Sequence, residues 1–305
     1  MAQLENRFSW SRSRDECFTA CPRQYFFEYY AFWDGWSADA PARTRLIYML
    51  KQLKSRQMWV GGAVHDAIEH TFRNIRRGIT PLGPEAIIQR TREDLRTAFR
   101  SSRAGHYRSR PKTPALYEHE YAVAVPDEEW RRVVENGLAS LATFYQSAIY
   151  QELAALPRDA WLEVEEFSSF DLDGLRVWVK LDASHRLPEG GVRIIDWKTG
   201  RLSSEQDLVQ LACYALYATR TWGVSPRDVR MLEYNLASDE VMSYAVSEES
   251  LADIAGYIHG SAADMARLLT DPERNTPLPE DAFAASGSER SCARCKYRKV
   301  CPKFA

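Results

Sequence analysis

Residues 177–200 read V-W-V-K-L-D-A-S-H-R-L-P-E-G-G-V-R-I-I-D-W-K-T-G. Val177, Val179 and Leu181 alternate with other side chains, as a half-buried strand requires, and Val192, Ile194 and Ile195 predict a second short strand. The P-E-G-G turn closes them into a hairpin whose arms bring Asp182 and Asp196 near each other. Lys198 follows Asp196 on the same face, because strand side chains repeat with period two. Two carboxylates and an ammonium then converge. Carboxylate oxygens suit a hard divalent cation, and a lysine beside the cation can orient or deprotonate water, so the pattern suits metal-assisted hydrolysis of a phosphodiester. A lone Asp-x-Lys is more often a surface ion pair, so the rest of the chain decides between the two.

The chain has 305 residues, 45% of them hydrophobic, enough for a substantial core. A net charge of -2 and a pI near 6.3 exclude a globally basic nucleic-acid coat but are compatible with a local basic groove. The opening M-A-Q-L-E-N-R-F-S-W lacks a basic region followed by an apolar core, and no run approaches the roughly 18 apolar residues of a membrane span. A cytoplasmic protein with no membrane partner is expected. Six cysteines in such a protein are better candidates for metal or cluster ligation than for disulfides.

Along the chain, 8–30 predicts a helix capped by Ser9 or Ser11 that restarts at Pro22, and 38–43 reads as a linker. Helical periodicity covers 46–54 and 58–77; the second contains G-G-A-V-H-D-A-I-E-H, with His65 and Glu69 on one face. A helix over 84–100 precedes a loop with Arg103, Arg108, Arg110 and Lys112, either solvated or contacting a DNA backbone. A long helix is expected over 128–156. The sheet begins near Trp161, turns at Asp173-Gly174 and enters the hairpin. A helix over 203–222 turns Leu208, Leu211, Ala212, Ala215 and Leu216 inward, with Gln210 and Tyr214 one turn apart on a shared face. Strands over 230–235 and 241–246 flank a turn at Ser238-Asp239, and a last helix over 247–269 is capped by Ser247. The expected architecture is α/β, a mixed central sheet flanked by helices with a helical insertion, in one domain over 1–305. Its parts are an N-terminal segment (1–37), a helical region (46–157), a core (160–270) and a C-terminal segment (286–305).

Residues 291–302 read S-C-A-R-C-K-Y-R-K-V-C-P, a C-x2-C-x5-C array of Cys292, Cys295 and Cys301. Three thiolates so close can share one inorganic centre, with a fourth ligand from Cys17, Cys21 or Cys213. Cys213 lies on an apolar helix face and reads as a packed hydrophobe. Cys21 precedes a proline, as Cys301 does, and sits among aromatics, so it is the expected fourth ligand. A four-cysteine zinc site competes, but zinc ligands usually come as two close pairs, so iron-sulfur fits better. Either centre would staple the two chain ends together.

In order along the chain, C-P-R-Q-Y (Cys21 to Tyr25), G-G-A-V-H ending at His65, K-L-D ending at Asp182, D-W-K-T-G from Asp196, Q-L-A-C-Y from Gln210 and the cysteine tail resemble the motifs of the RecB-like branch of the PD-(D/E)XK nuclease superfamily. Within it they resemble the cluster-bearing members, the AddB nuclease domain and the CRISPR-adaptation nucleases. The resemblance implies a restriction-endonuclease-like core, with an iron-sulfur staple joining the N- and C-termini. It implies that His65, Asp182, Asp196 and the backbone carbonyl of Trp197 bind Mg2+ or Mn2+, and that Lys198 positions the attacking water. Gln210 and Tyr214 would touch the substrate backbone or brace Lys198, Glu165 or Glu166 would assist through water, and Cys21, Cys292, Cys295 and Cys301 would hold a 4Fe-4S cluster. Lys180 stands where the family more often has glycine, and Cys17 is an extra thiol. The implied activity is a metal-dependent DNA nuclease, a single-strand exonuclease on DNA ends in repair, recombination or CRISPR or phage defence. The alternative is a DNA-binding or adaptor subunit of a helicase-nuclease complex with little activity alone. No G-x-x-x-x-G-K-[ST] loop is present, so ATP-driven unwinding would need a helicase or defence-complex partner. Tyr25, Tyr29 and Trp33, if exposed, could stack on unpaired bases.

Overall fold

The computed structural model describes residues 6–200 and 205–304. A short strand β1 (Trp10–Ser11) runs into α1 (Arg12–Ala20), where the Ser11 hydroxyl caps the helix by accepting from the Arg14 N–H. Pro22, which has no N–H to satisfy, opens α2 (Pro22–Phe26), continued by a π-helical turn (Phe27–Ala31). The helical region comprises α3 (Ala42–Lys51), α4 (Arg56–Arg77), α5 (Pro84–Arg103), the single turn α6 (Tyr117–Glu120), α7 (Asp127–Gln146) and α8 (Ala148–Ala154). Two expectations change here. The long helix over 128–156 is broken at Ser147, whose hydroxyl accepts from the Tyr150 N–H and so caps α8. The expected linker shortens, because α3 already begins at Ala42.

The sheet is built from β2 (Trp161–Leu172), β3 (Leu175–Arg186) and β4 (Val192–Lys198), then α9 (Glu205–Trp222), β5 (Val229–Asn235) and β6 (Glu240–Tyr244). The expected start of α9 at Ser203 lies outside the described residues, as do the first five residues of the opening segment. Leu208, expected inward, is 43% exposed. Next come α10 (Glu248–Ala266), with Ser247 and Ser250 in a reciprocal capping box, a small β7 (Leu269–Asp271) and β8 (Thr276–Pro277) ladder that periodicity did not indicate, and α11 (Glu289–Ala293). Among the described residues no helix is long and apolar enough to cross a membrane.

Pairing is mixed, as expected: β2–β3, β3–β4 and β5–β6 are antiparallel, while β4–β5 and β1–β3 are parallel. A strand has two edges, and β2 occupies one edge of β3 along its length. Both β4, beside Ala183 to Arg186, and β1, beside Val177 and Trp178, therefore share the other edge. Between them, at residues 179–182, the sheet forks.

The alternation of the hairpin also slips at this fork. Val177, Val179 and Leu181 pack with α9 and α10 in one core, yet Ala183, two residues on, packs with α4 and α7 in a second core. On β2 the same change separates Val164 from Phe170. Glu165 lies between them with φ at 53°, a left-handed conformation that costs a residue with a Cβ about 1–3 kcal/mol and is tolerated where the surroundings enforce it.

Candidate active site

The fork leaves backbone groups that the ladder no longer pairs, and side chains take them up. Asp182 Oδ2 accepts the Trp197 N–H at 2.7 Å, and the Tyr214 hydroxyl donates to the Lys180 carbonyl at 2.8 Å. Gln210, one turn before Tyr214 on α9, donates to the Tyr214 oxygen at 2.5 Å and to Asp196 Oδ1 at 3.2 Å. Lys198 Nζ lies 2.7 Å from Asp196 Oδ2 and 3.6 Å from Glu233 Oε1. Glu233 stands beside Asp196 in the parallel β4–β5 register and is fully buried, held by the Tyr244 hydroxyl at 2.5 Å.

His65 reaches the fork from α4. Its Nδ1 is 3.2 Å from Glu165 Oε1 and 3.5 Å from Asp182 Oδ1, and all three residues offer ligand atoms within 4.8 Å of one another. One imidazole and two carboxylates at that spacing form a donor set suited to a divalent cation. The helix comes this close because Gly61 faces the end of β4: a Cβ there would lie 3.1 Å from Thr199 Oγ1. Lys180 turns into the same space and pairs with Glu165 Oε2 at 2.5 Å, while Glu166 pairs instead with Arg76. Trp197 contributes its N–H to Asp182 and buries its ring against Phe72, Phe144 and Tyr234.

Crowding these charges shifts their titration. Burial, then repulsion from Asp182, raises the Asp196 carboxyl to about 7 against the pull of Lys198. Burial also raises Asp182, partly offset by His65. Burial disfavours protonated His65, but the Asp182 and Glu165 carboxylates outweigh it and raise the imidazole to about 10. Glu165 is lowered: burial opposes its charge, but hydrogen bonds and charges from His65 and Lys180 prevail. Groups perturbed by burial and by one another concentrate at sites of cation binding and acid-base chemistry.

These groups line one cavity of about 1400 Å³, together with Tyr29, Phe32 and Trp33 from the N-terminal segment and Phe167, Trp178 and Arg176 from the hairpin. Tyr25, by contrast, is fully buried against Phe18, Tyr29, Tyr30 and Phe283, so it offers no face to a ligand. Of the basic loop, Arg108 is committed to Glu120 at 3.1 Å. Sequence periodicity missed Glu233, whose signal was a lone carboxylate between the apolar Met231-Leu232 and Tyr234 of a predicted strand, and left Glu165 and Glu166 undecided.

Cys21, Cys292, Cys295 and Cys301 line a second, small cavity of about 40 Å³ with Phe27 and Tyr297; Cys17 is not part of its lining. Gly287 closes it, and a Cβ there would lie 3.2 Å from Cys292 Sγ and 3.9 Å from Cys21 Sγ. Burial and the neighbouring thiols raise Cys295 to about 11, and burial beside Glu28 raises Cys17 to about 12. Cys213 is 2% exposed in the core, as its apolar surroundings predicted. Protein contacts already join the ends here: Tyr297 donates to Glu28 at 2.6 Å, and Arg23 Nε donates to the Phe283 carbonyl at 2.8 Å.

Residues 9–302 match the family model of the PD-(D/E)XK nuclease superfamily. No curated protein matches the chain in sequence. Among solved structures, one from Eubacterium rectale, provisionally described as an exonuclease, is similar at 11% identity with a TM-score of 0.45, covering 86% of this chain and 81% of that one. The structure of SSO0001 is similar at 18% identity with a TM-score of 0.31, covering 62% of this chain and 80% of that one.

Proposed function

The chain belongs to the PD-(D/E)XK nuclease superfamily, and from that premise we propose that it is a metal-dependent deoxyribonuclease, a single-strand exonuclease acting on DNA ends. The observation that carries the proposal is the meeting of His65, Glu165 and Asp182 with the Asp196–Lys198 pair at the sheet fork. His65, Asp182 and Asp196, with Glu165 and the Trp197 carbonyl as further donors, would hold a magnesium or manganese ion, which would supply Lewis acidity at the phosphate. Lys198, anchored by Asp196 and Glu233, orients the attacking water and offsets the negative charge that grows on the phosphate. Gln210 and Tyr214 keep Asp196 and the β3 backbone in place, so their contribution is positioning. The role of the chain in DNA repair, recombination or phage defence, and its dependence on a helicase partner for strand separation, belong to the same proposal.

The four thiols lining the second cavity form a donor set that fits a 4Fe-4S cluster. Zinc ligands usually come as two close pairs, whereas here a single cysteine from the N-terminal segment meets a C-x2-C-x5-C tail, which favours the iron-sulfur centre over a zinc ion. Its contribution there is structural.

The test is incubation with single-stranded and duplex DNA, labelled at the 5′ or the 3′ end, with Mg2+ or Mn2+. Stepwise shortening of single strands that disappears in Asp196→Ala is expected. Salt-sensitive DNA binding without cleavage would favour the adaptor alternative, and cleavage that survives Asp196→Ala would overturn the assignment of the site.

A further inference from the structure

We propose that the cavity face of the β2–β3 hairpin is a stacking platform for unpaired nucleobases, built on Phe167 and Trp178. It rests on the nuclease reading and adds to it the part of the substrate that the approach to the site recognises. Phe167 is 68% exposed, a large ring on a strand with no protein covering most of it. Its ring lies on that of Trp178, centroids 4.5 Å apart and planes 12° from parallel. The Arg176 guanidinium lies 5.9 Å from the centre of the Trp178 ring.

The slip in alternation at Glu165 and Asp182 decides which way these residues face. Had the phase of Ala183 continued outward along β3, Trp178 would lie under α9 and Val177 would face the cavity. The slip reverses this: Val177 is buried in the α9 core, and Arg176, Trp178 and Lys180 line the cavity with the metal-binding cluster. In register, Phe167 stands opposite Lys180 and Ser169 opposite Trp178, so the platform lies one and two side-chain steps from Asp182, each about 6.7 Å. Along β3 the cavity face reads cation, ring, cation: Arg176, Trp178, Lys180. Single-stranded nucleic acid presents the complementary alternation of phosphate and flat base, and aromatic stacking accepts any base because each has a π face. Paired bases inside a duplex offer no such free face, so the platform selects strands with unpaired bases next to the scissile phosphate.

The experiment measures binding of the full chain, by fluorescence anisotropy at fixed salt, to labelled oligothymidylate and to a strand of equal length made of abasic nucleotides. Both carry the same phosphates. The expected result is a roughly tenfold preference for the strand with bases, reduced to near parity in Phe167→Ala and retained in Phe167→Trp. Trp178→Ala should behave like Phe167→Ala; because Trp178 is partly buried, the exposed Phe167 carries the test if that variant does not fold. Equal binding of the two strands by the unaltered protein, or a preference that survives Phe167→Ala, would overturn the proposal. Base preference without any cleavage would count against the nuclease reading and leave the platform standing, whereas cleavage without base preference would do the reverse.

Discussion

Asp196 is 3% exposed, beside the like charge of Asp182 and in contact with Lys198, and its carboxyl titrates near 7 rather than at the ordinary 3.8. Its folded-state value lies above its unfolded value, so its contribution to stability is fully present below about pH 4 and is lost as the pH rises through 7. His65, raised from 6.5 to about 10, acts in the same direction over a higher window. The metal-free protein should therefore lose stability between pH 5 and pH 8. Asp196→Asn should lose distinctly less, the difference over that range being at most about 3 kcal/mol, because each of the two pH units between 5 and 7 is worth about 1.4 kcal/mol. Denaturant melts in chelator at several pH values measure it, and parallel slopes for the two proteins would contradict the crowding of charge described above. A bound cation neutralises the same cluster after displacing its protons, so Mn2+ should raise the melting temperature more at pH 8 than at pH 6.

At the scale of elements, sequence patterns succeeded where a single local signal dominates. Alternation in V-R-I-I, the Pro22 restart and the Ser247 cap each dictate their element without help from distant residues. They failed where a distant partner decides. β1 is two residues long and exists through its pairing with β3, and the break at Ser147 uses a serine that a helix interior would also accept. The slip at Glu165 and Asp182 was invisible because each half of the hairpin alternates correctly by itself. The His65 motif was legible, but the reason for its glycine emerges only from packing: Gly61 lets α4 approach Thr199 at the end of β4. Gly61→Val should push the two elements apart and displace His65 from Glu165 and Asp182. Activity should fall on the order of a hundredfold, as expected for an ångström-scale misplacement, while helical content is retained because valine is no worse a helix former than glycine. Kinetics paired with circular dichroism distinguish this from general unfolding, and full activity would show that the close approach is dispensable.

Over the whole molecule, the two candidate centres draw on different parts of the chain. His65, Glu165, Asp182, Asp196, Lys198 and Glu233 all come from α4 and the sheet, whereas Tyr29, Phe32 and Trp33 line the cavity from the N-terminal segment, which the cysteine-lined cavity ties to the C-terminal tail. Removing the proposed cluster should therefore loosen the wall of the larger cavity without dismantling the candidate cation site. In Cys295→Ser, visible iron-sulfur absorbance should disappear and both ends of the chain should become sensitive to limited proteolysis together, because Tyr297–Glu28 and Arg23–Phe283 join them at the same place. Affinity for single-stranded DNA should fall, while binding of Mn2+ followed by calorimetry should stay close to that of the unaltered protein. If cation binding is lost along with the absorbance, the centres are one cooperative unit. If only one chain end becomes sensitive to protease, the thiols do not staple the termini, since a shared centre must release both segments when a ligand is removed.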